Sequence, residues 1–177
     1  MKLALISLIR DDFAPPLGLA SIATYLREYG GFDGTRIFDA NYEDVLGEVE
    51  NYRPDVVGIS AMSHYYTEAI NTARRIKEDR DVPIFIGGIH ISSLPSSLSP
   101  YFDLGVLGEG EETLLELLGL YEMKEELPTE FLRTINGIVY RENGGQVNTG
   151  FRERIKPLDK IPLIDRDFLN RKYFRKR

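Results

Sequence analysis

The chain has 177 residues, 42% of them hydrophobic and 28% charged, which is the size and balance of one globular domain and excludes wholesale disorder. It contains no cysteine, so a disulfide framework, a thiolate zinc site, a cysteine nucleophile and a cysteine-held iron–sulfur cluster are all excluded within these residues. The net charge of −6 is uneven: Arg152–Arg177 holds 10 basic against 4 acidic residues (+6), leaving 12 against 24 (−12) before it, and an acidic body argues against nucleic acid as partner.

Leu3–Ile9 is a near-continuous apolar run, as in a strand buried on both faces. Pro15-Pro16 marks a loop and a helix start, and Leu17, Ala20, Ile22, Ala23 and Leu26 follow at near-helical spacing until Gly30-Gly31. Thr35–Phe38 reads as a second strand, and 42–52 as a helix with Val45, Leu46 and Val49 on one face. Val56–Ser60 is the third strand. The helix over 67–79 buries Ala69, Ile70, Ala73 and Ile76. Pro83–Ile86 is the fourth strand, ending in Gly87-Gly88. The Ser- and Pro-rich stretch from His90 to Pro100 has room only for a short helix. Asp103–Leu107 is the fifth strand. Gly108-Glu109-Gly110-Glu111-Glu112-Thr113 follows it, and a helix continues over 114–123. Asn136–Val147 has the alternation and Asn-Gly-Gly turn chemistry of a β-hairpin. Beyond Phe151, prolines and charges predict an extended connector with one brief helical turn over 166–173.

Five βα units in succession predict a doubly wound α/β domain, flavodoxin-like or Rossmann-like, with a five-stranded parallel sheet and a C-terminal β-hairpin and linker. The order 2-1-3-4-5 is the commoner arrangement for five such strands. The divisions expected are a body over 1–128, a hairpin appendage over 129–150 and a linker over 151–177. No apolar run approaches the ~18 residues of a membrane span, and the N-terminus leads into a strand rather than a signal peptide. No membrane partner and a cytoplasmic location are therefore expected.

In such a sheet, ligands bind outside the carboxyl ends of the strands. The loops there are Arg10–Leu17, Ser60–His64, Gly87–Ser92 and Gly108–Thr113. Glycines in two of them would let a bulky ligand approach the backbone. A phosphoacceptor site is rejected: Asp11-Asp12 supplies an acidic pair, but no Asp ends the third strand and no Lys the fifth. A dinucleotide site is rejected because Gly-Glu-Gly follows the wrong strand and its carboxylates would repel a pyrophosphate; Glu111 and Glu112 complement a helix dipole instead. There is no P-loop. His64 and His90 lack spaced ligand partners, so no metal site is expected. Asp11, Asp12, Asp39 and Glu43 form a possible carboxylate cluster, more simply read as caps or a solvated loop. No catalytic constellation emerges.

The segments Pro15–Leu26, Asp39-Ala40-Asn41, Pro54–Ser60, Gly87–His90 and Gly108–Leu114, in this order and spacing, resemble the N-terminal cobalamin-binding domain of cobalamin-dependent radical S-adenosylmethionine enzymes. The resemblance covers about residues 1–123, and Leu158–Pro162 resembles the linker toward the barrel of those enzymes. It implies a corrin ring across the carboxyl ends of the strands, with its nucleotide tail in a slot between sheet and helices. By position, Pro15, Pro16 and Leu17 would meet the corrin edge. Ser60, Ala61, Met62 and Ser63 would meet the ring or tail. Gly87, Gly88, His90, Gly108, Glu109, Gly110 and Glu111 would line the far side. The loop Asp11–Gly18 lacks the His of the Asp-x-His-x-x-Gly motif of other cobalamin carriers, which implies base-off cobalamin with no protein histidine in that loop replacing the base. The Cys-x-x-x-Cys-x-x-Cys of the family's barrel is missing, so S-adenosylmethionine and the [4Fe-4S] cluster are expected only in an absent C-terminal radical S-adenosylmethionine domain, with the chain a fragment cut near Arg175–Arg177. Two further readings stay open: a cobalamin-free docking domain of the same fold, and a carrier of another flat cofactor such as a flavin. The latter lacks the expected Ser/Thr-rich phosphate loop after the first strand.

Overall fold

The computed structural model describes residues 1–11 and 14–175. Five parallel strands are β1 (Leu3–Ser7), β2 (Thr35–Asp39), β3 (Val56–Ser60), β4 (Ile84–Gly87) and β5 (Leu104–Val106); β6 (Ile138–Glu142) and β7 (Gly145–Asn148) are antiparallel. The sheet order is β2-β1-β3-β4-β5-β6-β7. The parallel part thus has the expected 2-1-3-4-5 order. The hairpin, however, extends the same sheet to seven strands, with Gly105 opposite Val139.

Alternation along the strands sends successive side chains to opposite faces. Leu3 and Leu5 join one core with Leu19, Ala23 and Leu26 of α1 (Leu17–Gly30) and Leu114, Leu117 and Leu118 of α5 (Glu111–Lys124). Ala4 and Ile6 join the other with Val45 and Val49 of α2 (Val45–Tyr52), Ala69, Ala73 and Ile76 of α3 (Tyr66–Asp79) and Ile91 of α4 (Ile89–Ser93). A last short helix, α6 (Thr129–Leu132), precedes the hairpin. The hairpin turns on Asn143 (φ 50°) and Gly144 (φ 79°), the pair of positive φ angles that a two-residue type I′ turn requires.

The segment after β7 runs back over the sheet edge and α1. Tyr29 Oη donates to Lys160 O (2.8 Å), Arg27 pairs with Asp165 (2.7 Å), and Leu169 is buried in the α1/α5 core. The helical turn expected over 166–173 is two 3-10 turns, Arg166–Phe168 and Arg171–Phe174, each capped by the side chain before it.

Candidate functional site

Parallel strands end together, so their following loops converge at one edge. There the β3 and β4 loops are joined by backbone: Ala61 N donates to Gly87 O (3.0 Å) and His90 N to Ala61 O (3.3 Å). Gly88 makes this possible. Its φ is +93°, and a Cβ there would lie 2.8 Å from Ala61 O. Ser92 then ties the β4 loop to the β5 loop, donating to Gly88 O and accepting from Gly108 N, both at 2.9 Å.

Behind these loops a narrow slot of about 60 Å³ opens between the sheet and α1/α5. Ser60, Gly87, Gly88, Gly108 and Gly110 line it, together with Leu5, Leu19, Ile22, Gly58 and Leu114. A Cβ at Gly87 would meet no atom within 4 Å, whereas one at Gly110 would lie 3.0 Å from Ile22 Cδ1. Such walls suit a flat, largely apolar group with few polar anchors. Larger cavities of about 460 Å³ (Gly108 to Ile155) and 340 Å³ (β2 edge and residues 167–170) are lined mainly by charged and polar side chains.

Of the residues expected at a site, five therefore line the slot. Pro15, Pro16 and Leu17 lie at the start of α1, and Met62 and Ser63 begin the 3-10 turn after β3. Leu17 and Ile89, with Phe151 from beyond the hairpin, are apolar side chains left 51%, 61% and 63% exposed. The Phe151 ring lies 3.3 Å from a Cβ position at Gly108, beside the slot. The two glutamates have partners within the chain: Glu111, only 8% exposed, accepts from Ser21 Oγ (2.7 Å), and Glu109 accepts from Ile155 N (3.3 Å).

His90 is held by hydroxyls at both ring nitrogens, Ser63 at Nδ1 and Ser97 at Nε2, each at 3.1 Å. Of the four carboxylates read as a possible cluster or, more simply, as caps or a solvated loop, two bond to other side chains. Asp39 takes the Tyr173 hydroxyl (2.7 Å), Glu43 pairs with Arg36 (2.8 Å), and Asp12 lies outside the described residues. After β1, Arg10 forks onto both oxygens of Glu68 (2.9 and 2.6 Å), and this hydrogen bonding, above all, lowers the Glu68 carboxyl from its ordinary value. Among the described residues no group of three or more metal-ligating side chains gathers, and no helix is long and apolar enough to cross a membrane.

Gly58 and Phe151 were missed at the sequence level. Gly58 carried a signal, since a glycine inside an otherwise branched apolar strand marks a close approach. Phe151 carried none, because its neighbourhood is set by where the hairpin delivers the chain.

The family model of the B12 binding domain matches residues 10–118. The chain belongs to the B12-binding domain family. Among curated relatives, an uncharacterised methyltransferase of Pyrococcus horikoshii is 33% identical over 162 residues, covering 88% of this chain and 34% of that protein. The anaerobic magnesium-protoporphyrin IX monomethyl ester cyclase of Cereibacter sphaeroides is 25% identical over 156 residues, covering 83% and 25%. The chain thus spans about a third or less of the length of these relatives. Among solved structures, the radical S-adenosylmethionine methyltransferase TsrM from Kitasatospora setae superposes with a TM-score of 0.69 at 22% identity, over 84% of this chain and 30% of that one. The cobalamin-dependent S-adenosylmethionine radical enzyme OxsB gives 0.68 at 22% identity, over 91% and 23%. These two likenesses are likenesses of fold. The B12-binding family match starts at Arg10 and ends within α5, so it includes the three loops, after β3, β4 and β5, that frame the slot.

Proposed function

We propose that this chain is the cobalamin-binding module of a radical S-adenosylmethionine enzyme that transfers methyl groups or modifies a ring. The observation carrying this is the glycine-lined slot at the carboxyl edge, framed by three loops cross-tied through Gly88 and Ser92. The residues fit the group in two ways. Gly87 leaves room where any side chain would intrude, and the exposed Leu17, Ile89 and Phe151 offer an apolar surface to a flat ring. In this reading Ser60, Gly87, Gly88, Gly108 and Gly110 hold the nucleotide tail, and Pro15–Leu17 with Ala61–Ser63 and His90 face the corrin. Cobalamin, when bound, supplies cobalt-centred group-transfer chemistry. The chain's own residues bind the ring, orient it and keep water from the tail.

The β1–α1 loop contains no histidine, so the reading takes the cofactor base-off, with its lower base in the slot. It further takes residues 151–177 as leading to a radical S-adenosylmethionine domain of the same chain, which would supply the [4Fe-4S] cluster and S-adenosylmethionine. A cytoplasmic location and no nucleic-acid partner go with this reading. One observation favours a second reading. At about 60 Å³ the slot is smaller than the space a nucleotide base fills, as in a cobalamin-free docking domain of the same fold. Under the first reading, α1 and α5 spread on binding.

Ultraviolet–visible titration with hydroxocobalamin, followed by gel filtration, separates the two. A shift to the base-off spectrum with co-elution is expected. An unchanged spectrum without co-elution would leave the docking domain.

A further inference from the structure

Beside the slot, the β3 and β4 loops share a hydrogen-bonded chain whose proton positions follow from geometry. Ser97 Oγ lies 2.7 Å from Leu94 O. A carbonyl oxygen carries no proton, so the serine hydroxyl must supply the one between them. Ser97 has no second proton. Its 3.1 Å contact with His90 Nε2 is therefore one that it accepts, and Nε2 carries the hydrogen. A neutral imidazole has a single N–H, so Nδ1 is bare and accepts the Ser63 hydroxyl proton across 3.1 Å.

Tyr66 holds the ring in this setting. It stacks on His90 with centroids 3.8 Å apart at 27°, while its own hydroxyl donates to Ser97 O (2.5 Å) and accepts from Ser99 N (3.3 Å). A flip of the imidazole would put Cδ2 opposite Ser63 and Cε1 opposite Ser97, losing both hydrogen bonds.

The consequence falls on Ser63. Its proton is held inward, so this exposed hydroxyl presents only lone pairs outward. It stands three residues beyond Ser60, and His90 two beyond Gly88; both Ser60 and Gly88 line the slot. We propose that Ser63, oriented by His90, is a specificity-determining acceptor for a side-chain carboxamide N–H at the corrin periphery. It would select amide-bearing corrins over those with carboxylates, which would set lone pair against lone pair. Ser63 is the binding group and His90 a positioning residue acting through it. The inference rests on the cobalamin reading above.

Two measurements test it. Long-range proton–nitrogen correlation spectra of the free protein are expected to show His90 protonated at Nε2 and bare at Nδ1. Spectral titrations would use hydroxocobalamin and a hydrolysed corrin carrying carboxylates in place of side-chain amides. Ser63→Ala is expected to weaken hydroxocobalamin binding about three- to tenfold, the value of one hydrogen bond, and to tighten binding of the carboxylate corrin by removing the opposed lone pairs. His90→Phe keeps the stack on Tyr66 but frees the Ser63 proton, so discrimination between the two corrins is expected to shrink. Protonation at Nδ1, or a Ser63→Ala variant that binds hydroxocobalamin like the wild type, would overturn this inference alone. Wild-type protein that binds no hydroxocobalamin would overturn the cobalamin reading along with it.

Discussion

Gly87 is the position where binding and folding can be separated. Its neighbours are poor probes: Gly88 sits at φ +93° against Ala61 O, and a Cβ at Gly110 presses on Ile22. At Gly87 the φ is ordinary and the space is open. Gly87→Leu is therefore expected to keep the melting temperature within a few degrees while abolishing the hydroxocobalamin spectral shift, because the side chain projects where the nucleotide tail would lie. Tyr173 is the second informative residue. Burial first, and then its hydrogen bond to Asp39, raise its phenol above the ordinary range. The folded protein thus favours the neutral form. The contribution is complete below the ordinary phenol value near pH 10 and is lost as pH rises through the raised one. Tyr173→Phe is expected to cost about 0.5–1 kcal/mol at neutral pH, given its partial exposure. In alkali, the wild type is expected to lose this margin and approach the variant in denaturant titrations.

At the scale of elements, the hairpin is the main departure from expectation. Its strands and turn were readable, since alternation and Asn-Gly-Gly are local signals. Its partner was not, because pairing with β5 depends on which edge lies free once the parallel strands have assembled. β5 is only three residues long, and β6 covers its outer edge. Arg141 secures the join. Its guanidinium donates to the carbonyls of Leu98, Ser99, Pro100 and Phe102, at 3.3, 2.9, 3.3 and 2.5 Å. These carbonyls belong to the irregular stretch between α4 and β5, which has few ladder bonds of its own. Arg141→Met is expected to cost about 1–2 kcal/mol. The loss would be read as a lowered denaturation midpoint, with faster hydrogen exchange across residues 98–102.

At the scale of the molecule, the segment after the hairpin is a strap across the α1 face. Prolines and charge made it read as an extended linker, and among the described residues it has no regular structure beyond 3-10 turns. Its contacts are nonetheless specific. Asp165 pairs with Arg27 and its backbone N donates to Thr24 Oγ1 (3.0 Å), Phe168 packs under the Arg27 guanidinium at 5.1 Å, and Leu169 enters the core. Leu169→Ala is expected to destabilise the protein by about 2–3 kcal/mol, as for other buried leucines, with added protease sensitivity confined to residues past 157. A variant as stable as the wild type would mean that the strap is held only by its surface ion pairs.

The sequence by itself determined the βα alternation, the strand-end glycines and the likeness to a cobalamin-binding domain, while the strand order was only the commoner arrangement for such a count. The first three are written in local periodicity and in short motifs at strand ends. Only the tertiary structure decided that Glu109 and Glu111 bond within the chain, that Gly58 and Phe151 adjoin the slot, and that Ser92 and His90 cross-link its loops. It also decided that the tail lies on α1. Each of these depends on contacts between residues far apart in the chain, and a side chain's partner at such distance is chosen by packing rather than by its neighbours in sequence.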